Sequence, residues 1–479
     1  MHDPINVDRR RLLQIMGSGA LSLPFVGLPR FLKAEEARLP VPPSADTLIL
    51  LWMSGGMAHT ETFDPKTHVP FEVGMDPKKL ICTFPAIPTS VDGIQFCSGL
   101  EHVAQVMDRG ALIRSFQATH LRPFSHSRAS YHWHTGYLPP LSVDAPAIGA
   151  VIARILGPRK HAPDVPANVD IGIEYEPERI QHRTAGFLGP AYRPFVVQDP
   201  YTANQNLLPR VGKERFKQRH AAYLEFVKHS PLAEQAYAGQ TDALVESIET
   251  AYRFLQSPAS AAFDYTQEPE EVIKTYDTGN RFGLGCLLAR RLTEAGARFI
   301  LVRQGNEHSI VNNTFDSHSD GHLVYEKRKK EIDVPIAQLV KDLESRDLLS
   351  RTLIVVASEF SRRVGVAGLQ DGPLEGTIDD AKQYGLHSHY TRAGSVLLFG
   401  GGIKQGHLYG KTNDEYPCEA IDKPLGIEDL HATIYRAMGI SAKHHFMIEQ
   451  RPFYVTRDGK GKPIEELFAH RPHLSAETL

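Results

Sequence analysis

The chain has 479 residues, 42% hydrophobic and 23% charged, the values of an ordinary globular protein with ample core material. Its formal net charge of −3 leaves no strong global field to recruit polyanions or acidic membranes, and so disfavours nucleic-acid binding. At roughly 150 residues per domain the length admits up to about three domains, or one large α/β sheet with insertions.

The N-terminus reads as an address. Arg9, Arg10 and Arg11 stand directly before a weakly apolar run, Leu12 to Leu28, broken by Gly17, Gly19, Pro24 and Gly27. A basic segment followed by a short apolar one, too short and glycine-rich to span a bilayer, is the pattern of a twin-arginine export signal. The bland alternative is a basic amphipathic helix of a cytosolic protein. No clean A-x-A site follows, so the segment is read either as cleaved or as retained, in which case it serves as a peripheral membrane anchor. Leu39 to Ser44 is proline-rich and reads as a linker.

Beyond it, Thr47 to Trp52 (TLILLW) is a continuous apolar run suited to a strand buried on both faces of a parallel sheet. Ala111 to Ser115 is a second strand candidate, and Ala147 to Leu156 a helix ended by Gly157-Pro158. The stretch from about 163 to 260 is polar and helix-rich, best over Arg215–Lys228 and Asp242–Leu255, and reads as an insertion or cap. Then a regular alternation sets in: helix Arg281–Ala295, strand Arg298–Arg303, helix Tyr325–Ser345, strand Thr352–Ala357 and strand Gly394–Phe399. A last helix, capped by Asp429, runs through Ala437. Helices alternating with short apolar strands predict an α/β fold, a mostly parallel central sheet with helices on both faces, over 46–479.

Sites in such sheets lie beyond the carboxyl ends of the strands, and the metal-type residues recur there. They are Ser54, His59, Glu61 and Asp64; His120, His126, His132 and His134; Asp316, His318, Asp320 and His322; Ser358, Glu359, Ser361 and Arg362; and His387 with His389. Imidazoles and carboxylates converging from several loops suit zinc or another divalent ion. Each element also has an ordinary reading. The run 316–322 passes as a solvated turn, Glu359 as a helix cap, and Gly400-Gly401-Gly402 as a tight turn without phosphate-loop spacing. Cys82, Cys97, Cys286 and Cys418 are too few for a disulfide scaffold. Outside the cytoplasm Cys82–Cys97 is the expected bridge, with buried free thiols the equal alternative.

Several segments in this order resemble the twin-arginine-exported bacterial family of unknown function DUF1501. They are Trp52 to His59 with Thr62 to Lys66, Leu112 to Ser115, Cys286 to Phe299, Phe315 to His318, Ser358 to Arg362, Gly400 to Lys404, and the helix from Asp429. The resemblance implies the alkaline phosphatase and sulfatase type of fold, with one or two divalent metals, Zn or Ca, clamping a phosphate or sulfate ester. It points to His59, Asp316, His318, Glu359, His387 and His389 as metal ligands, and to Ser115, His126 and Arg362 as catalytic. Two departures weaken the site. Ser388 stands where the family has the Asp of an Asp-His pair, and Ser54-Gly55 ends the first strand where phosphatases hold a metal with Asp. The expectation is an exported, periplasmic metal-dependent hydrolase acting on a small-molecule or glycan ester. The alternative is a non-catalytic envelope protein, binding or structural, that retains the fold.

Overall fold

Thr47–Met53 (β1) is buried at every position, which is why its sequence carries no polar alternation. In the computed structural model, which describes residues 42–118, 125–138, 143–172, 185–205, 211–229, 240–305, 314–365 and 376–469, β1 is the inner strand of an eight-stranded sheet. The other strands are Gly110–Ile113 (β2), Asn168–Ile171 (β3), Phe195–Val197 (β4), Phe299–Gln304 (β5) and Thr352–Ala357 (β6). Ser361–Val364 (β7) and His387–Tyr390 (β8) form a separate antiparallel pair. Val396–Gly400 (β9) and His407–Tyr409 (β10) complete the sheet, whose order is β10-β2-β9-β6-β1-β5-β3-β4.

Every pairing in this sheet is parallel except those of β9, which runs antiparallel to both β6 and β2. The reversal has a consequence for the site. Because β9 enters the sheet beside the C-terminal end of β6, with Leu397 opposite Val356, the β8 segment just before it is delivered to that same edge. The Gly400-Gly401-Gly402 turn falls at the other end, where all three residues have positive φ.

Successive side chains of β1 point to opposite faces, and each face is covered by its own helices. Ile49, Leu51 and Met53 pack with Arg281–Ala295 (α5) and Gly321–Ser345 (α6). Leu48, Leu50 and Trp52 pack with His126–Thr135 (α1), Ile148–Leu156 (α2) and Ile427–Ala437 (α7). The α5 helix is closed at both ends as its sequence suggests: Asn280 accepts from the Gly283 amide, and Gly296 ends the helix at φ 107°. The expected α/β architecture is therefore present. Among the described residues no helix is long and apolar enough to cross a membrane.

Two expectations change, and the cysteine alternatives resolve to free thiols. The 163–260 segment is not solely a helical insertion: β3 and β4 lie within it and extend the main sheet, alongside the helices Lys213–Lys228 (α3) and Gln240–Gln256 (α4). Asp429 does not cap the last helix but sits in its first turn, where its Oδ1 accepts from the Lys462 amide at 2.8 Å. The Cys82 and Cys97 sulfurs lie 3.9 Å apart as buried thiols, both bonded to the Thr60 carbonyl, and Cys286 and Cys418 are also buried and unbridged. The twin-arginine segment and His120 lie outside the described residues.

Truncating the central strand tests this packing. Leu51→Ala removes a fully buried side chain between β1 and its covering helices, and should cost about 2–5 kcal/mol in urea unfolding while far-ultraviolet circular dichroism stays unchanged.

A candidate metal centre at the strand ends

The loops after β1, β5 and β6 are brought together by one turn. Gly55 adopts φ 102°, and a Cβ there would lie 2.1 Å from the Asp316 amide nitrogen. Only glycine lets the chain after β1 pass this close to the Asp316 loop. Its amide donates to Glu359 Oε1 at 2.9 Å, and its carbonyl accepts from Arg362 Nε at 2.8 Å. Arg362 has no exposed surface. Its guanidinium also donates to the Ser317 carbonyl at 3.0 Å and pairs with Asp316 Oδ1.

His126 enters from the start of α1, where Ser125 caps the helix by accepting from the Arg128 amide. Its Nδ1 lies 2.7 Å from Glu359 Oε1 and its Nε2 lies 3.3 Å from Asp316 Oδ1. His318, 52% exposed, places Nε2 2.9 Å from the same Asp316 oxygen. His389 arrives on β8 directly across the ladder from Arg362 of β7. Its ring stands edge-on to His126, with centroids 4.6 Å apart, and both rings pack on Phe360.

His126, Asp316, His318 and His389 thus each offer a ligand atom, and these atoms lie within 4.8 Å of one another. Donors around a tetrahedral zinc stand roughly 3.3 Å apart. Two of the separations, 3.3 Å and 2.9 Å, are already near that value. Among the described residues the buried His389 Nε2 has no hydrogen-bond partner. Three imidazoles with one carboxylate form a donor set that fits zinc or a similar borderline divalent ion, and the orphaned imidazole nitrogen fits it too.

Without a cation the site balances its own charge. Burial opposes the charge on His126, but its hydrogen bonds to Asp316 and Glu359 outweigh that and raise its pKa to about 9. Burial likewise opposes the charge on Asp316. Its hydrogen bonds with His126 and His318, and the charge of Arg362, hold it well below the usual carboxylate range. Glu359 is also lowered: burial raises it, and the His126 hydrogen bond and charge outweigh the burial. Burial, then the charges of Arg362 and His126, push His389 down to about 3, so it is a neutral donor.

The structure sorts the sequence-based candidates. Asp316, His318 and His389 meet as expected, and His126, expected to be catalytic, joins them as a fourth donor. Glu359 is not among the four; it orients His126 from behind, as carboxylates commonly do for imidazole ligands. His59 is elsewhere and fully occupied. Its Nδ1 meets Ser361 Oγ at 2.7 Å, its Nε2 meets the Cys418 carbonyl at 3.1 Å, and burial lowers its pKa to about 4. His387 is buried behind the cluster, with Nδ1 2.6 Å from Ser317 Oγ and its ring against Tyr325. Ser115 is fully buried and donates to the Lys423 carbonyl at 2.6 Å, which removes it as a nucleophile. Arg362 is spent on internal contacts and acts as a clamp rather than a substrate-facing group.

Other candidates are structural. His132 and His134 are buried along α1, with His134 against Trp52. Glu61 binds Thr83, and Asp64 pairs with Lys66 and Arg114. Sequence reasoning missed the Gly55 amide as the partner of Glu359. Its one signal was a glycine following the first strand where a metal-binding Asp was expected.

Residues 45–468 match the family described as "Protein of unknown function (DUF1501)". No curated protein matches the chain. Among solved structures it is similar to the lipoteichoic acid synthase LtaP from Listeria monocytogenes, at 8% identity and TM-score 0.36, over 88% of this chain and 79% of that one. It is similar to the phosphonate monoester hydrolase of Agrobacterium radiobacter at 12% identity and TM-score 0.36, over 89% and 78% of the two chains. Alkaline phosphatase from the Antarctic bacterium TAB5 aligns at 10% identity and TM-score 0.29, over 77% and 95%.

The charge balance predicts a pH signature in metal-free protein. The His126 pKa is raised from 6.5 to about 9, so its contribution to stability is fully present below about pH 6.5 and lost as pH rises through about 9. A histidine NMR titration should place the His126 midpoint near 9, with His389 neutral down to about pH 3. A His126 midpoint near 6.5 would contradict the pairing.

Proposed function

We propose that this chain, which belongs to the DUF1501 family, is a divalent-metal-dependent hydrolase of phosphate or sulfate esters, with His126, Asp316, His318 and His389 as the residues that hold the metal. The observation that carries this reading is the gathering of four donor atoms within 4.8 Å at the carboxyl edge of the sheet. A bound divalent ion would supply Lewis acidity and charge neutralisation for an anionic ester.

The chain's own residues prepare that site. Glu359 fixes the orientation of the His126 ring through Nδ1, leaving Nε2 turned toward Asp316. His126 holds a proton near neutral pH in the metal-free protein and must release it from Nε2 to serve as a ligand, so metal uptake strengthens as pH rises. Arg362 keeps Asp316 ionised and in place. His318 is the outermost donor, so substrate approaches over it. The ester class rests on the resemblance of the motif segments. One observation favours a second, non-catalytic reading in which the site binds an ion or partner alone: neither Ser115 nor Arg362 is free to face a substrate.

Elemental analysis of purified protein tests the site. About one divalent ion per chain is expected, with His389→Ala and Asp316→Asn both losing it. Glu359→Gln should keep the fold and weaken metal affinity by about 10- to 100-fold. Metal bound at full occupancy without turnover of aryl phosphate or aryl sulfate selects the non-catalytic reading, whereas absence of metal from the unmodified protein sinks the hydrolase and leaves only the partner-binding form of the second reading.

The paired arginines carry the further proposal that the chain is exported to the periplasm. Replacing Arg9 and Arg10 with lysine should retain the protein in the cytoplasmic fraction, and unchanged fractionation would remove that proposal.

A further inference from the structure

A second charged cluster lies at the opposite edge of the sheet, where β1, β5 and β6 begin. Arg159, Arg298 and Arg351 gather there around Asp46, which is buried: the first and last face its carboxylate and Arg298 its backbone carbonyl. Arg351 pairs with Asp46 Oδ2, and Arg159 Nη1 stands 3.7 Å from the same oxygen. Arg298 Nη1 reaches the Asp46 backbone carbonyl at 3.5 Å, and its Nε donates to the Gly157 carbonyl at 3.2 Å. Arg159 Nη2 donates to Thr47 Oγ1 at 2.8 Å, while its buried Nε has no hydrogen-bond partner among the described residues.

Three guanidinium groups against one carboxylate leave two positive charges uncompensated. Among the described residues no second acid offsets them. The charges acting on Arg159 and Arg298 are those of Asp46 and of the other arginines in the cluster. Like charges held close and partly withdrawn from water repel, so the protein alone leaves this corner electrostatically incomplete. Planar guanidinium forks match the oxygen spacing of a tetrahedral oxyanion, which accepts from several donors at once. The side chains remain reachable, at 17% exposure for Arg159 and 38% for Arg351.

We propose that Arg159, Arg298 and Arg351 form a binding site for a tetrahedral oxyanion, a sulfate or phosphate group, separate from the cluster around Asp316. The shared chemistry is the oxyanion itself, whether free or carried on a larger molecule. Its occupant would tie together the starts of the three inner strands, Asp46–Thr47, Arg298–Phe299 and Arg351–Thr352.

The test is calorimetric titration of full-length, chelator-treated protein with sodium sulfate, against sodium chloride at equal ionic strength, with melting temperature followed in parallel. One saturable sulfate site and a saturable rise in melting temperature are expected. Arg298→Gln should weaken sulfate affinity by about tenfold or more, Arg298→Lys by less, and His389→Ala not at all. Should Arg298→Gln fail to fold, the more exposed Arg351→Gln decides by the same criterion. A parallel titration with methyl phosphate distinguishes sources: tighter binding than inorganic phosphate assigns the site to a carried group, and equal or weaker binding to the free ion. Absence of a saturable sulfate effect, unchanged affinity in both Arg298→Gln and Arg351→Gln, or loss of binding in His389→Ala overturns the proposal.

Discussion

The Arg362 guanidinium is the contact on which the rest of the candidate site depends. It is fully buried and reaches three places at once: the Gly55 carbonyl after β1, the Ser317 carbonyl in the loop that follows β5, and the Asp316 carboxylate. An isolated buried charge would be very unfavourable, and the pairing with Asp316 together with two carbonyl acceptors offsets that cost. Removing one partner of such a pair typically costs about 3–5 kcal/mol, because the other charge is then left without compensation. Arg362 therefore fixes the separation of the loops before any ligand arrives.

Charge balance follows from that arrangement. Asp316 and Glu359 stand against Arg362 and a protonated His126, two negative against two positive groups. A divalent cation bound there would take the place of the His126 proton, while Arg362 is held by backbone contacts as well as by Asp316. The departures in sequence thereby acquire physical content. Where a carboxylate was expected after the first strand, a glycine lets its own amide bind Glu359, so Glu359 is turned toward orienting a histidine. The four candidate donors are thus three imidazole nitrogens and one carboxylate oxygen.

The two edges of the sheet carry opposite electrostatic solutions. At the carboxyl edge, histidines and carboxylates close their own balance around an orphaned imidazole nitrogen. At the amino edge, three arginines share one buried aspartate and the balance stays open. The chain's modest net charge of −3 conceals both, since a global sum carries no information about which charges the fold brings together.

The sequence by itself determined the α/β class and most of its elements. Continuous apolar runs such as Thr352–Ala357 and a capped helix such as Arg281–Ala295 are set by local chemistry, and both stand at the expected bounds. Asp316, His318 and His389, singled out from the sequence, do come together, because strand-end loops in such sheets face one edge. Roles were decided by tertiary structure. His59 and His389 are both histidines near strand ends, yet one ring is saturated by Ser361 and Cys418 while the other keeps a free buried nitrogen. Whether a side chain is a ligand, an orienting partner or a buried strut depends on what packs against it from segments hundreds of residues away, and no periodicity in the chain records that.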